Sequence, residues 1–173
     1  MPPLPAILIG HGYDLHRLEP LAPAGQGRPL MLGGVRFEHD RGPVAHSDGD
    51  ALLHAATDAI LGALAEPDIG RLFPDTDPRH ESQDSREFLA EAARRMRSAG
   101  YAIGNLDATV IVERPKLGPS RDEIRRLLAE LLGTELQRVN VKGKTHEGVD
   151  AVGRGEAVEV HVVVTLLSET PNG

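Results

Sequence analysis

Three side chains constrain this chain more than any others. Asp14 and His16 stand two apart in Asp14-Leu15-His16, and His54 closes the later segment Ser47-Asp48-Gly49-Asp50-Ala51-Leu52-Leu53-His54. Two apart on an extended segment, Asp14 and His16 project to the same side, whereas His54 lies in a stretch of helical periodicity. One carboxylate and two imidazoles make the inner shell of a catalytic zinc ion, which takes three protein ligands and keeps a fourth position for water or substrate. If the three share an ion, an extended segment and a helix must pack face to face, and the open position marks where function resides.

Composition narrows the choices. At 173 residues, 40% hydrophobic and 26% charged, the chain is expected to form one domain over residues 1–173 around one core. It has no cysteine, which excludes disulfides, thiolate nucleophiles and cysteine-ligated clusters, so any zinc must use His, Asp or Glu. A net charge of -7 argues against general attraction to nucleic acid or an anionic membrane. Aromatic residues are 3% with no Trp, leaving few platforms for stacking on bases, so a bound nucleotide base would be held by backbone contacts. The N-terminus has no basic region or long apolar run, and no stretch approaches the roughly 18 apolar residues of a membrane span. The expectation is a cytoplasmic protein with neither nucleic acid nor membrane as partner.

Ala6 to Gly10 reads as a short strand running into a polar segment, His11 to Arg17. Pro29 to Glu38 reads as a second strand across a Pro/Gly-rich loop, able to pair with the first as a hairpin. From Asp48 to about Leu64 the pattern is helical, with Leu52, Ala56, Ile60 and Ala63 on one line and Asp50, His54 and Asp58 on another. Residues 67–82 are loop-like, and Ser85 to Ala99 is a second helix ended by Gly100. A strand over Tyr101 to Glu113, a helix over Ser120 to Leu132 and strands over Arg138 to Lys142 and Glu156 to Leu167 complete the order. This is an α+β chain, a two-layer domain whose mixed sheet is covered on one face by helices. The last strand carries Val158, Val160, Val162 and Val164 on one face and Glu159, His161 and Val163 on the other. A face of such mixed polarity fits an oligomer interface or internal channel as well as an ordinary exposed surface.

A ligating imidazole commonly donates its other N–H to a carboxylate or carbonyl, and Asp58 is the candidate for His54. Asp50 reads equally as a first-turn residue complementing the helix dipole, and Asp48 or Ser47 as an N-cap. His46 alone reads as a solvated loop histidine, although helix N–H groups nearby would attract a phosphate. Lys142-Gly143-Lys144-Thr145-His146-Glu147-Gly148 gathers donors, a hydroxyl and a carboxylate. Glu147 suits magnesium or manganese, which prefer oxygen and often bridge a carboxylate and substrate phosphates; read alone, the segment is a charged turn. Arg154, between Gly153 and Gly155, can grip an anion or simply mark a tight turn, and Glu113-Arg114-Pro115-Lys116-Leu117 is a basic loop after a strand.

Taken together, Gly10-His11-Gly12-Tyr13-Asp14-Leu15-His16, the segment Ala45 to Ala55, the segment Asp68 to Asp77 and Gly153-Arg154-Gly155-Glu156 resemble the 2-C-methyl-D-erythritol 2,4-cyclodiphosphate synthases. The four ordered motifs span nearly the whole chain. The resemblance implies a phosphorus–oxygen lyase of non-mevalonate isoprenoid biosynthesis. Its cytidine diphosphate-linked substrate, 4-diphosphocytidyl-2-C-methyl-D-erythritol 2-phosphate, would be cyclised by metal-assisted attack of the 2-phosphate on the β-phosphorus, with release of CMP. It also implies a homotrimer around a threefold cavity, with active sites between subunits.

By the same resemblance, zinc or a similar divalent cation is held by Asp14, His16 and His54, and magnesium or manganese by Glu147. His46 and Thr145 stabilise the transition state. Asp14, His16, His46 and Ser47 contact substrate, as do Asp68, Ile69, Gly70, Phe73, Pro74, Asp75, Thr76 and Asp77, largely around the methylerythritol unit. Val112, Pro115, Lys116, Leu117 and Gly118 match the cytidine pocket, Lys144, Thr145, His146 and Glu147 surround the phosphates, and Ala151 and Arg154 match further substrate or cavity positions. The chain departs from the family's common residues at Lys144 and His146, where Thr or Ser is usual, and at Ala151, where Phe is frequent. Two other readings of the residues are a zinc-dependent phosphohydrolase, for which no adjacent general base is evident, and a non-catalytic trimeric binding module with a structural zinc.

Overall fold

Alternation along the last strand sorts its side chains: Val158, Val160, Val162, Val164 and Leu166 are all fully buried, while Val163 and Leu167 are exposed on the opposite face. This strand is the spine of the computed structural model, which describes residues 6–74 and 82–169. The elements in chain order are β1 (Ile7–Pro20), β2 (Leu30–Leu32), β3 (Val35–Phe37), β4 (Arg41–Pro43), α1 (Ala51–Ala63), α2 (Ile69–Leu72), α3 (Ser85–Ser98), β5 (Tyr101–Ile111), α4 (Arg121–Leu132), β6 (Val139–Lys144), α5 (Asp150–Gly153) and β7 (Ala157–Ser168). Five of them form one sheet in the order β4-β1-β7-β5-β6. Neighbours run antiparallel except β5 and β6, which are parallel. The sheet is therefore mixed, with α1, α3 and α4 contributing to the core on one face.

Two expectations need correction. The first strand does not stop near Gly10; it runs to Pro20, paired with β7 from Ile7↔Leu167 to Arg17↔Ala157. The backbone ladder, not side-chain polarity, sets its length, so the polar residues Asp14 and His16 take their turns on the helix-facing side. Nor does the Pro29 to Glu38 stretch pair with β1. It folds on itself as the hairpin β2–β3, because Gly33 and Gly34 both adopt positive φ, 63° and 80°, as tight hairpin turns require. The Asp50 carboxylate fastens this turn by accepting the N–H groups of Gly33 (2.9 Å) and Gly34 (2.7 Å).

The same carboxylate caps α1, accepting from the N–H of Leu52 (3.1 Å) and of Leu53 (3.0 Å). Asp50 is fully buried. Burial pushes its carboxyl up, and the bonds from Gly34, Gly33 and Leu53 pull against that shift.

How closely α1 approaches β1 depends on two glycines. A Cβ at Gly10 would stand 1.8 Å from the Ala59 carbonyl oxygen, and one at Gly12 would stand 1.8 Å from that of Ala55. Opposite them the helix presents Ala55, Ala59 and Ala63. The glycine strand and alanine helix thus nest, which brings His54 over Asp14. Leu52, Leu53, Ile60 and Leu61 of the same helix are buried, each contributing about 1.5–3 kcal/mol of apolar burial.

The other face of the sheet has no covering layer among the described residues. Ile7, Ile9, Tyr13, Leu15, Val163 and Leu167 lie exposed there, beside His11 and His161, whose ring nitrogens are 3.2 Å apart. The mixed polarity read from the last strand extends across β1. No described helix is long and apolar enough to cross a membrane.

Candidate active site

β1 supplies Asp14 and His16 from its helix-facing side, and α1 supplies His54 from its first full turn. The ligand atoms of the three lie within 4.8 Å of one another, the only such group of His, Cys, Asp or Glu found among the described residues. Asp14 Oδ2 stands 2.9 Å from His16 Nδ1 and 3.1 Å from His54 Nδ1. His16 Nδ1 is buried and, despite that proximity, has no hydrogen-bond partner. Two ring nitrogens converging on one carboxylate oxygen, one of them without a bond, fit a divalent cation. Burial pushes the Asp14 carboxyl up, but the close imidazoles of His16 and His54 outweigh it and bring it down to about 2. For His54, burial works against the charged form, and the bond and charge of Asp14, aided by Asp50 and Asp48, reverse this and raise its pKa.

His16 and His54 of the triad border a cavity of ≈ 210 Å³ whose walls also include His46, Ser47, Ile69 and Gly70, with Phe73 and Phe88. Among the described residues, the structure thus brings His46, Ser47, Ile69, Gly70 and Phe73 of the second and third motifs to the Asp/His/His triad. His46 is exposed at the rim, and Ser47 is buried. Asp68 caps the short helix α2, accepting the N–H of Arg71 at 3.0 Å. Pro74 follows Phe73 and is half-buried, whereas Asp75, Thr76 and Asp77 lie outside the described residues.

Asp58 has a different task from the one expected. Its carboxylate accepts the N–H of Ile69 at 2.8 Å and ties α1 to the start of α2. The bonds at His54 Nε2 come instead from Ser85 Oγ at 2.8 Å and Ser47 Oγ at 3.3 Å. Ser85 opens α3, and in the sequence nothing marks it beyond that position.

The remaining expected residues gather elsewhere. A second cavity, of ≈ 480 Å³, is lined by Val112, Pro115, Lys116, Leu117 and Gly118 from the loop after β5, and by Lys144 and Thr145 from the end of β6. Arg121 and Glu113, not singled out as ligand residues, also line it. The turn that follows carries Glu147 at φ 51°, in the left-handed region. The Glu113 carboxylate braces this turn by accepting the N–H of His146 (2.9 Å) and of Gly148 (3.3 Å), one on each side of Glu147. His146 Nδ1 is 2.9 Å from Asp150. Arg154 borders a third cavity with His39, Arg41, Glu113 and Arg114, and pairs with Glu156 at 2.9 Å. Ala151 sits half-buried in α5.

The sequence profile of the YgbB family matches residues 7–167. The chain belongs to that family. It is 49% identical to the 2-C-methyl-D-erythritol 2,4-cyclodiphosphate synthase of Escherichia coli over 94% of this chain and 98% of that protein. With the chloroplastic synthase of Oryza sativa it shares 52% identity over 96% of this chain and 72% of the relative. Among solved structures it is similar to IspF from Plasmodium falciparum in complex with CDP, with a TM-score of 0.82 at 35% identity, covering 95% of this chain and 98% of that one. Both elements that converge on the metal triad fall inside the family match.

Proposed function

We propose that this YgbB-family chain is a 2-C-methyl-D-erythritol 2,4-cyclodiphosphate synthase, a phosphorus–oxygen lyase that cyclises 4-diphosphocytidyl-2-C-methyl-D-erythritol 2-phosphate and releases CMP. The observation that carries the reading is the pairing of a convergent Asp/His/His group in one cavity with a second cavity rimmed by Lys116, Lys144 and Thr145. Strand register puts both at one end of the sheet: His16 pairs with Val158, Ile111 with Glu159, and Ile111 with Lys144.

The two cavities share no lining residue. His16 and Lys144 sit on β1 and β6, three strand spacings or roughly 14 Å apart. That separation supports an active site completed between subunits, the metal triad of one working with the 112–118 loop of another. The open, partly apolar sheet face supplies a surface for such assembly, and a homotrimer is the arrangement proposed. Sedimentation at the mass of three chains is expected, and a monomer at working concentration would overturn it.

A divalent cation at Asp14, His16 and His54, zinc in this reading, with magnesium or manganese at Glu147, supplies Lewis-acid charge to the diphosphate oxygens. The chain's own residues chiefly position and shield. Backbone groups of the Val112 to Gly118 loop hold the cytidine, which suits a chain with few aromatic rings. Lys116, Lys144 and the Thr145 hydroxyl orient the diphosphate, and His46 and Ser47 donate to phosphate oxygens where charge grows. Ile69, Gly70 and Phe73 enclose the methylerythritol unit and keep water from the reacting phosphorus. The 2-phosphate oxygen forms the new bond to the β-phosphorus, the bond from that phosphorus to the CMP oxygen breaks, and CMP leaves with the electron pair. No protein nucleophile takes part, so catalysis is positioning and charge stabilisation.

Phosphorus NMR of the purified protein with this substrate and both cations tests the proposal. Equal amounts of cyclic diphosphate and CMP are expected. A linear hydrolysis product would instead indicate a phosphohydrolase.

A further inference from the structure

His54 makes contacts at both ring nitrogens, and the second of them leads away from the metal triad. Nδ1 faces Asp14, while Nε2 lies 2.8 Å from Ser85 Oγ. Ser85 is fully buried. Its hydroxyl donates to Asp48 Oδ1 through a short bond, and its backbone N–H donates to Asp48 Oδ2 at 3.1 Å. Asp48 is itself fixed in the loop before α1, where its N–H donates to the Gln83 carbonyl at 3.1 Å and its Oδ1 accepts the Asp50 N–H at 3.1 Å.

The proton order along this chain is determined by the acceptor at its end. An ionised carboxylate can only accept, so the Ser85 hydroxyl points to Asp48. The Ser85 oxygen is then left to accept, and the ring nitrogen facing it must carry a proton. With a cation taking the place of the proton between Nδ1 and Asp14 Oδ2, 3.1 Å apart, a neutral His54 bearing hydrogen on Nε2 presents the lone pair of Nδ1 to that cation. Ser47 Oγ, 3.3 Å from the same Nε2 and accepting the Gly49 N–H at 3.2 Å, is a weaker acceptor for that proton.

We propose that Ser85, held by Asp48, is a positioning residue that fixes His54 in the tautomer and orientation required of a metal ligand, so that the start of α3 and the loop before α1 jointly set cation affinity. This rests on the reading of Asp14, His16 and His54 as a cation site. Partners of ligating histidines typically change metal affinity by 10–100-fold when removed. Asp48→Asn carries the directional part of the idea. An amide can donate to the Ser85 oxygen, freeing the hydroxyl to donate to Nε2 and moving the ring proton to Nδ1, where it blocks the metal lone pair.

The test measures zinc affinity by competition with a chelator for the wild-type protein, Ser85→Ala and Asp48→Asn, with circular dichroism to establish that each is folded. Proton and nitrogen-15 shifts of the His54 Nε2–H group in the zinc-loaded proteins report its bond to Ser85. Expected are one zinc per wild-type chain, a loss of affinity of about 10–100-fold in Ser85→Ala and a weaker affinity in Asp48→Asn, and a downfield His54 Nε2 proton in zinc-loaded wild type that moves upfield in Ser85→Ala. Zinc binding in Ser85→Ala equal to wild type, or a His54 Nε2 proton shift unchanged by that substitution, overturns the positioning role while leaving the metal site intact. Failure of the wild-type protein to bind zinc overturns the metal reading and this inference with it. If Ser85→Ala is unfolded, the zinc affinity of Asp48→Asn decides: a value equal to wild type overturns the proposal.

Discussion

The metal triad and the Glu147 turn are two halves of one proposed site, yet they are held in opposite ways. Asp14, His16 and His54 come from a long strand and a helix locked together by the Gly10/Gly12 approach, and His54 has a polar partner at each ring nitrogen. Glu147 is exposed, sits at positive φ in a short turn, and depends on one carboxylate, Glu113, for the bonds to either side of it. The difference suits two kinds of cation. A resident ion bound by nitrogen and oxygen benefits from a rigid, buried cage, whereas magnesium or manganese keeps several waters and binds through one or two carboxylates plus substrate phosphates, which a surface turn permits.

The sharpest way to break the contrast is to remove a ligand from the rigid half. His54→Ala is expected to lose zinc and about a thousandfold in activity, the several kcal/mol that a metal contributes to transition-state charge. Metal analysis and turnover measure both, and full zinc occupancy in the variant would remove His54 from the ligand set. At the other half, Glu147→Gln should keep its zinc and lose roughly 10–100-fold in activity at limiting magnesium or manganese. A titration of either cation that matches wild type would count against the role of Glu147.

A smaller effect concerns pH and is confined to the rigid half. In the metal-free protein Asp14 is lowered from 3.8 to about 2, so its contribution, about 2 kcal/mol, is present above pH 4 and lost as pH falls through 2. His54 is raised, so its share is present below about pH 6.5 and lost as pH rises through its folded value. Because the two shifts describe one interaction, metal-free protein is expected to be most stable between about pH 4 and 6.5 and to weaken toward pH 8. Zinc binding requires a neutral imidazole and runs the other way, strengthening as pH rises. Thermal melts at pH 6 and pH 8, with and without zinc, measure this; a metal-free melting point that rises toward pH 8 would contradict the assignment.

Much of the site was legible along the chain because its chemistry is local. Asp14 and His16 share a strand face by period 2, and His54 lies on the polar line of a helix whose observed start differs from the expected one by three residues. The loop after β5 and the turn carrying Glu147 were also placed correctly as segments following strands. The errors share one cause. Strand β1 reads as ending near Gly10 because polar residues follow, but its length is set by β7, far along the chain. The Pro29 to Glu38 stretch reads as one strand until Gly33 and Gly34 are seen to turn it. Asp58 is one turn from His54 and was the natural partner by spacing; Ser85, from another helix, fills that place in space.

By itself, then, the sequence determined the residue types of the candidate metal site, the alternation that gives the sheet a buried and an open face, and the family the chain resembles. These follow from periodicity and from side-chain chemistry carried by neighbouring residues. Only the tertiary structure decided that Ser85 and Ser47 contact His54, that Gly10 and Gly12 admit the helix, that Glu113 braces the Glu147 turn, and that the two cavities are separate within one chain. Each of these is a contact between elements distant in sequence, and its existence depends on how closely packed backbones approach, which no local pattern records.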